Sequence, residues 1–152
     1  MSFDAERRLI ATFIAQTQSD FGLGEVELFG DGLDLSTSQF NRGSVSIVSG
    51  QAALASFGAP GANLRYNPGV LFFRLFTDGA LGWAGASAKA DEIVNAFTGR
   101  RIDQLGGNPT ATSTLIVDFA HNDFQPFVAA KEIRTPYFET TIQAPFVRKQ
   151  RI

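Results

Sequence analysis

Cysteine is absent from the 152-residue chain, and histidine occurs once, at position 121. Without cysteine there is no disulfide framework, no thiol nucleophile and no thiolate site for zinc or iron–sulfur. A lone His121 excludes a multi-histidine metal site within one chain. Charge is scarce too: charged residues are 18% of the chain, against about 25% in average soluble domains. Thirteen basic and fifteen acidic residues leave a net −2, far from the basic footprint of a typical nucleic-acid binder. No apolar run approaches the ~20 residues of a membrane helix, so no membrane partner is expected. The opening MSFDAERRLIATF carries acids at once and does not read as a secretory signal. What is left is a soluble globular protein of one domain, spanning 1–152.

Phenylalanine is abundant: fifteen of the eighteen aromatic residues. One small domain has difficulty hiding that many rings behind a charge-poor surface. Interface cores are depleted in charge and rich in aromatics, so partner subunits are one way to cover them. Arginine outnumbers lysine ten to three, which interfaces also favour, although a GC-rich genome gives the same skew. Charge is segregated along the chain. Residues 1–34 carry a net −5, residues 35–133 balance, and residues 134–152 carry +3. Such ends attract each other within a subunit or between neighbours. A solvated basic tail over 148–152 is the plainer reading of the C-terminal residues.

Phe3, Leu9, Ile10, Phe13 and Ile14 recur at helical spacing, with Ser2 as N-cap and Asp4 and Glu6 in the first turn, which predicts a helix ending near Gln18. Alternation predicts strands over 25–29 and 44–48. Residues 52–57 fit a strand or a helical turn. The apolar run Val70–Phe76 predicts a central strand after a break at Asn67-Pro68-Gly69, with Arg74 interrupting one face. Trp83, Ala86, Ala90, Ile93, Val94 and Phe97 form one stripe of a second helix, closed by Gly99. Strands follow over 112–119, over 127–134 pairing with it, and over 137–144. Helix, strands, helix, strands with short gaps predicts an α+β fold: a mostly antiparallel sheet of about four to six strands with two main helices packed on it.

No group of residues rises to an enzyme. Gly79-Ala80-Leu81-Gly82-Trp83-Ala84-Gly85 matches neither phosphate-loop pattern, and close helix packing explains its glycines. His121 with Asp118 and Asp123 offers a base beside carboxylates, but no nucleophile elbow accompanies it. Asp31-Gly32-Leu33-Asp34 lacks the acidic ladder of a calcium loop. Neither a cofactor nor a metal is expected.

The order of segments resembles the tail terminator-like proteins of long-tailed, siphovirus-type bacteriophages. The resemblance rests on the helix from Ser2-Phe3-Asp4-Ala5 onward and the apolar strand Gly69–Phe76. Thr77-Asp78-Gly79 then leads into Ala88-Lys89-Ala90-Asp91-Glu92-Ile93-Val94-Asn95-Ala96-Phe97-Thr98-Gly99. Last comes Thr140-Thr141-Ile142-Gln143-Ala144-Pro145-Phe146 before a charged end. The chain departs from the pattern between Gly22 and Gly43, where Asp31-Gly32-Leu33-Asp34 replaces a proline-containing segment. The resemblance implies a non-enzymatic structural protein of the virion, assembled in the host cytoplasm. It implies a ring, commonly of six copies, that caps the tail tube, ends its polymerisation and joins the neck or head-completion proteins. DNA would pass its channel without specific binding. A neck or tail-completion adaptor is the alternative, and a small-ligand-binding α+β domain a more distant one. Candidate interface residues, chosen by exposure and position, are Asp31, Leu33, Asp34 and Gln39 in the loop, Tyr66 in the Gly58–Asn67 turn, and Arg148, Lys149 and Arg151 in the Arg148–Ile152 tail.

Overall fold

The computed structural model describes residues 3–17, 25–28, 42–49, 53–54, 64–104, 107–121, 125–134 and 137–151. Two helices, α1 (Phe3–Thr17) and α2 (Gly82–Phe97), accompany eight strands. These are β1 (Glu25–Leu28), β2 (Arg42–Ser49), β3 (Ala53–Leu54), β4 (Leu64–Asp78), β5 (Arg101–Asp103), β6 (Leu115–Asp118), β7 (Phe127–Arg134) and β8 (Tyr137–Arg151). The fold is α+β, with a mostly antiparallel sheet and both helices packed on it.

The spine is the antiparallel pair β4–β8, in register over all fifteen residues from Leu64↔Arg151 to Asp78↔Tyr137, about 50 Å of ladder at the usual rise. The partners on its two flanks change midway. On one flank β2 pairs with β4 from Phe76 to Gly69, and β3 pairs at Tyr66 and Arg65. On the other, β7 pairs with β8 from Tyr137 to Gln143, and β6 from Val147 to Gln150. β1 joins β2 in parallel and β5 joins β6. The sheet thus has a β2–β7 end and a β3–β6 end, which share β4 and β8.

Both in-strand prolines lie between these ends. Pro68 falls between the β2 and β3 registers, and Pro145 between those of β7 and β6. A residue without an N–H is tolerated where no outer ladder bond is required. The expected break at Asn67-Pro68-Gly69 is therefore replaced by continuous strand. Gly69 meets Phe146 across the ladder. A Cβ on Gly69 would lie 2.6 Å from Phe146 Cζ, so glycine is what lets the buried ring lie over the backbone.

One face of the sheet carries Val45, Leu71, Phe73, Leu75, Val117, Ile142, Ala144 and Phe146 into the core. α1 covers it with Leu9, Ile10, Phe13 and Ile14, and α2 with Ala86, Ala90, Ile93 and Phe97. Phe13, Phe97, Phe119 and Phe146 form a chain of ring contacts with centroids 5.1–5.5 Å apart. Alanine at the sheet-facing positions of α2 permits close approach, as the small-residue pattern implies. Asp78 accepts the Ala80 N–H at 2.9 Å and starts the 3₁₀ turn Gly79–Leu81. Gly99, at φ 67°, follows the helix end in the left-handed conformation glycine favours.

Several expectations are corrected. β7 pairs antiparallel with β8, not with the 112–119 strand: the two strands are neighbours in sequence, and their register runs Arg134↔Tyr137 to Phe127↔Gln143. Trp83, placed on the buried stripe by its spacing, is 57% exposed at the start of α2. The basic tail expected over 148–152 is strand as far as Arg151, held on one side by β4 and on the other by β6. Among the described residues most phenylalanines are covered within the chain: Phe13, Phe73, Phe76, Phe97, Phe119, Phe138 and Phe146 are all buried. Those rings need no partner subunit.

Candidate interaction surface

Strand alternation divides the candidate basic residues between the two faces. Arg148 shares the helix-covered face with Phe146 and is buried, so it offers no surface charge. Lys149 lies on the opposite face, and Arg151, two residues on, lies there as well. Tyr66 stands across the ladder from Lys149, and the Lys149 Nζ sits 5.5 Å from the Tyr66 ring centroid. The Tyr66 ring in turn meets the His121 ring edge-on at 5.4 Å.

Asp118 is the centre of this group. β6 places it beside Val147, and β5 brings Arg101 opposite it. Its carboxylate is 1% exposed; Oδ2 accepts Lys149 Nζ at 2.7 Å, and Oδ1 lies 3.3 Å from Arg101 Nε. The Ala120 N–H donates to Oδ1 at 2.8 Å. Burial alone would push this carboxyl up. The Lys149 and Ala120 hydrogen bonds and the two positive charges outweigh it and hold the group below the usual carboxylate range. Arg101 remains 58% exposed and Lys149 22%. Arg101 also borders an open hollow of about 520 Å³ beside Gly99 and Asn108. Arg100 borders it too, but its guanidinium turns to the Phe13 ring, 5.5 Å away, and to the Ala96 carbonyl.

Asp118 is held by two cations and a backbone N–H. Among the described residues no three His, Cys, Asp or Glu side chains gather to hold a metal, and no helix is long and apolar enough to cross a membrane. Tyr66 and Lys149, far apart in sequence, are brought together. Asp31, Leu33, Asp34 and Gln39, and Asp123 beside His121, lie outside the described residues. Sequence reasoning passed over Arg101 as a surface cation and Asp118 as its anchor. No linear spacing announces them, because residues 66, 101, 118 and 149 meet only through strand pairing.

A second surface lies at the β2–β7 end. Val48, Trp83, Phe127 and Ile133 are the exposed large apolar side chains among the described residues, and two of them are on β7. Trp83 packs edge-on against Phe138 at 5.3 Å and receives Lys131 Nζ over its face at 4.2 Å. On the face away from the helices at this end, Arg74 Nε donates to Glu139 Oε1 at 2.7 Å, which answers the charge that interrupts β4. No protein-family model matches the chain, and no curated protein matches it.

Proposed function

We propose that the chain is the subunit of a ring that caps the tail tube of a long-tailed bacteriophage, halts tube growth and offers the junction to the neck. The observation that carries this reading is the place in the fold of the segments that resemble tail terminators. They form α1, the inner length of β4, the turn into α2, and the inner length of β8. The resemblance is thus concentrated in the helices and in the central ladder.

The surfaces suit such a role. A closed ring is built from heterologous contacts, in which two different patches of each subunit meet. This chain exposes apolar side chains on β7 and at the start of α2 at the β2–β7 end and carries a cationic patch at the β3–β6 end, on opposite halves of one sheet. A cap that stops polymerisation complements the tube on one side and refuses a further tube subunit on the other. Electron microscopy of tails assembled without this chain tests the reading. Tails of uncontrolled length are expected; tails of normal length that fail only to join heads would favour the adaptor instead.

A further inference from the structure

The hollow beside Gly99 has two walls, each tied down by hydrogen bonds. One wall is the end of α2. Thr98 donates to the Val94 carbonyl through its N–H at 3.0 Å and through its hydroxyl at 2.7 Å. The Arg100 N–H donates to the Phe97 carbonyl and Arg100 Nε to that of Ala96, both at 3.2 Å. These helix-end carbonyls, which repel an anion when bare, are therefore already answered. The other wall, Asn108 and Pro109, belongs to the connection from β5 to β6, which is drawn back onto buried Asp103. Its Oδ1 accepts the Gly107 N–H and its Oδ2 the Ser113 hydroxyl, both at 3.1 Å, and its N–H donates to the Gly107 carbonyl at 2.9 Å. Arg101 lines the same hollow. Asp118 takes its Nε edge at 3.3 Å and the side chain is 58% exposed, so its terminal nitrogens stay open to a second acceptor. Asn108 is exposed too, and its amide bonds to no described residue.

We propose that this hollow binds a small organic anion, with the Arg101 guanidinium taking its phosphate or carboxylate group and the Asn108 amide a polar group of its body. A guanidinium fork matches either group with two parallel hydrogen bonds. Asp118 presets the Arg101 side chain, so less freedom is lost on binding. The volume of about 520 Å³ lies within the range of small-molecule sites and exceeds what one inorganic ion fills, which is why the ligand carries an organic body. A DNA backbone is the other source of phosphate, but it calls for a row of cations. Here Arg101 is joined only by Arg100, which is turned to Phe13. The site is complete in one subunit and does not rest on the ring reading.

Backbone amide NMR of the whole chain tests the assignment, with ribose 5-phosphate, citrate and inorganic phosphate as separate probes. The Gly99, Arg101, Asn108 and Ala120 signals are expected to move saturably with at least one organic anion, at a Kd of about 1 mM or below. Inorganic phosphate should bind about tenfold more weakly. Arg101→Gln leaves Asp118 its Lys149 and Ala120 partners and should weaken binding about tenfold or more. Asn108→Ala, at an exposed position, should weaken it about threefold, and it carries the test if circular dichroism shows Arg101→Gln unfolded. Arg151→Gln, outside the hollow, should bind like wild type. No saturable shift with either organic anion up to about 20 mM overturns the proposal. So does a folded Arg101→Gln or Asn108→Ala that binds like wild type, or an Arg151→Gln that loses binding equally, which would mark general charge attraction. Inorganic phosphate binding as tightly as the organic anions reduces the site to an ion site and overturns it. A short DNA duplex that moves the same signals more tightly than either organic anion assigns the hollow to nucleic acid and overturns it too.

Discussion

The two ends of the β4–β8 ladder are built from the same two strands and put to different uses. At the β2–β7 end, buried Phe73, Phe76 and Phe138 lie within the protein, and exposed Phe127, Ile133 and Trp83 lie on its margin. At the β3–β6 end, Asp118 gathers Arg101 and Lys149, and Arg151 follows on the same face. A long strand pair can thus hold one continuous core on its helix-covered face while the margins of the sheet differ along its length, with exposed apolar side chains at one end and a cation cluster at the other. The changeover comes where the flanking strands change, at Pro68, Gly69, Pro145 and Phe146.

The strongest way to break that comparison is at the changeover itself. Gly69→Ala places a Cβ against the Phe146 ring, and overpacking of this kind costs about 1–3 kcal/mol. A drop in Tm of roughly 2–4 °C per kcal/mol is expected for a domain of this size, read by calorimetry. Pairing it with Phe146→Leu should return part of the loss, as contacting residues couple.

The charged end should respond next. Asp118→Asn strands Lys149, which is only partly screened by solvent, and should cost about 2 kcal/mol, less than breaking a fully buried pair. Because the Asp118 carboxyl is held below its ordinary value, the stability it lends is present above the unfolded pKa of about 3.9 and fades as pH falls through the folded value. The gap in Tm between wild type and Asp118→Asn should therefore narrow steadily below about pH 4. A gap that stays constant to pH 2 would contradict this account.

The apolar margin should matter least to the isolated subunit. Trp83→Ser removes the ring contact with Phe138 and the seat of Lys131, for an expected loss of about 1 kcal/mol by denaturant titration. Ile133→Ser, at a side chain 69% exposed, should change subunit stability by no more than about 0.5 kcal/mol. If Ile133→Ser weakened the isolated chain as much as Asp118→Asn, the contrast between the two ends would not hold.

Both helices were legible in the sequence, because helical periodicity is local and Gly99 supplies a left-handed end. So was the apolar middle of β4. The partner of β7 was not, since composition does not say which strand lies beside which. Pro68 misled for a related reason: a proline signals a break until a gap between flanking strands makes room for it. Arg148 and Arg151 look alike in a row of charges, yet alternation buries one and exposes the other. The phenylalanine count suggested rings in need of a partner, but most of the described ones are covered by α1, α2 and the sheet. The cationic patch was half visible, as Lys149 and Arg151, with Arg101 added by pairing.

The central claim is that copies of this chain close into a ring on the end of a tail tube. Purified tubes imaged after incubation with the chain should show added density at one end only, and tube subunits supplied afterwards should not extend that end. A chain that leaves both ends bare, with growth continuing from each, contradicts the account.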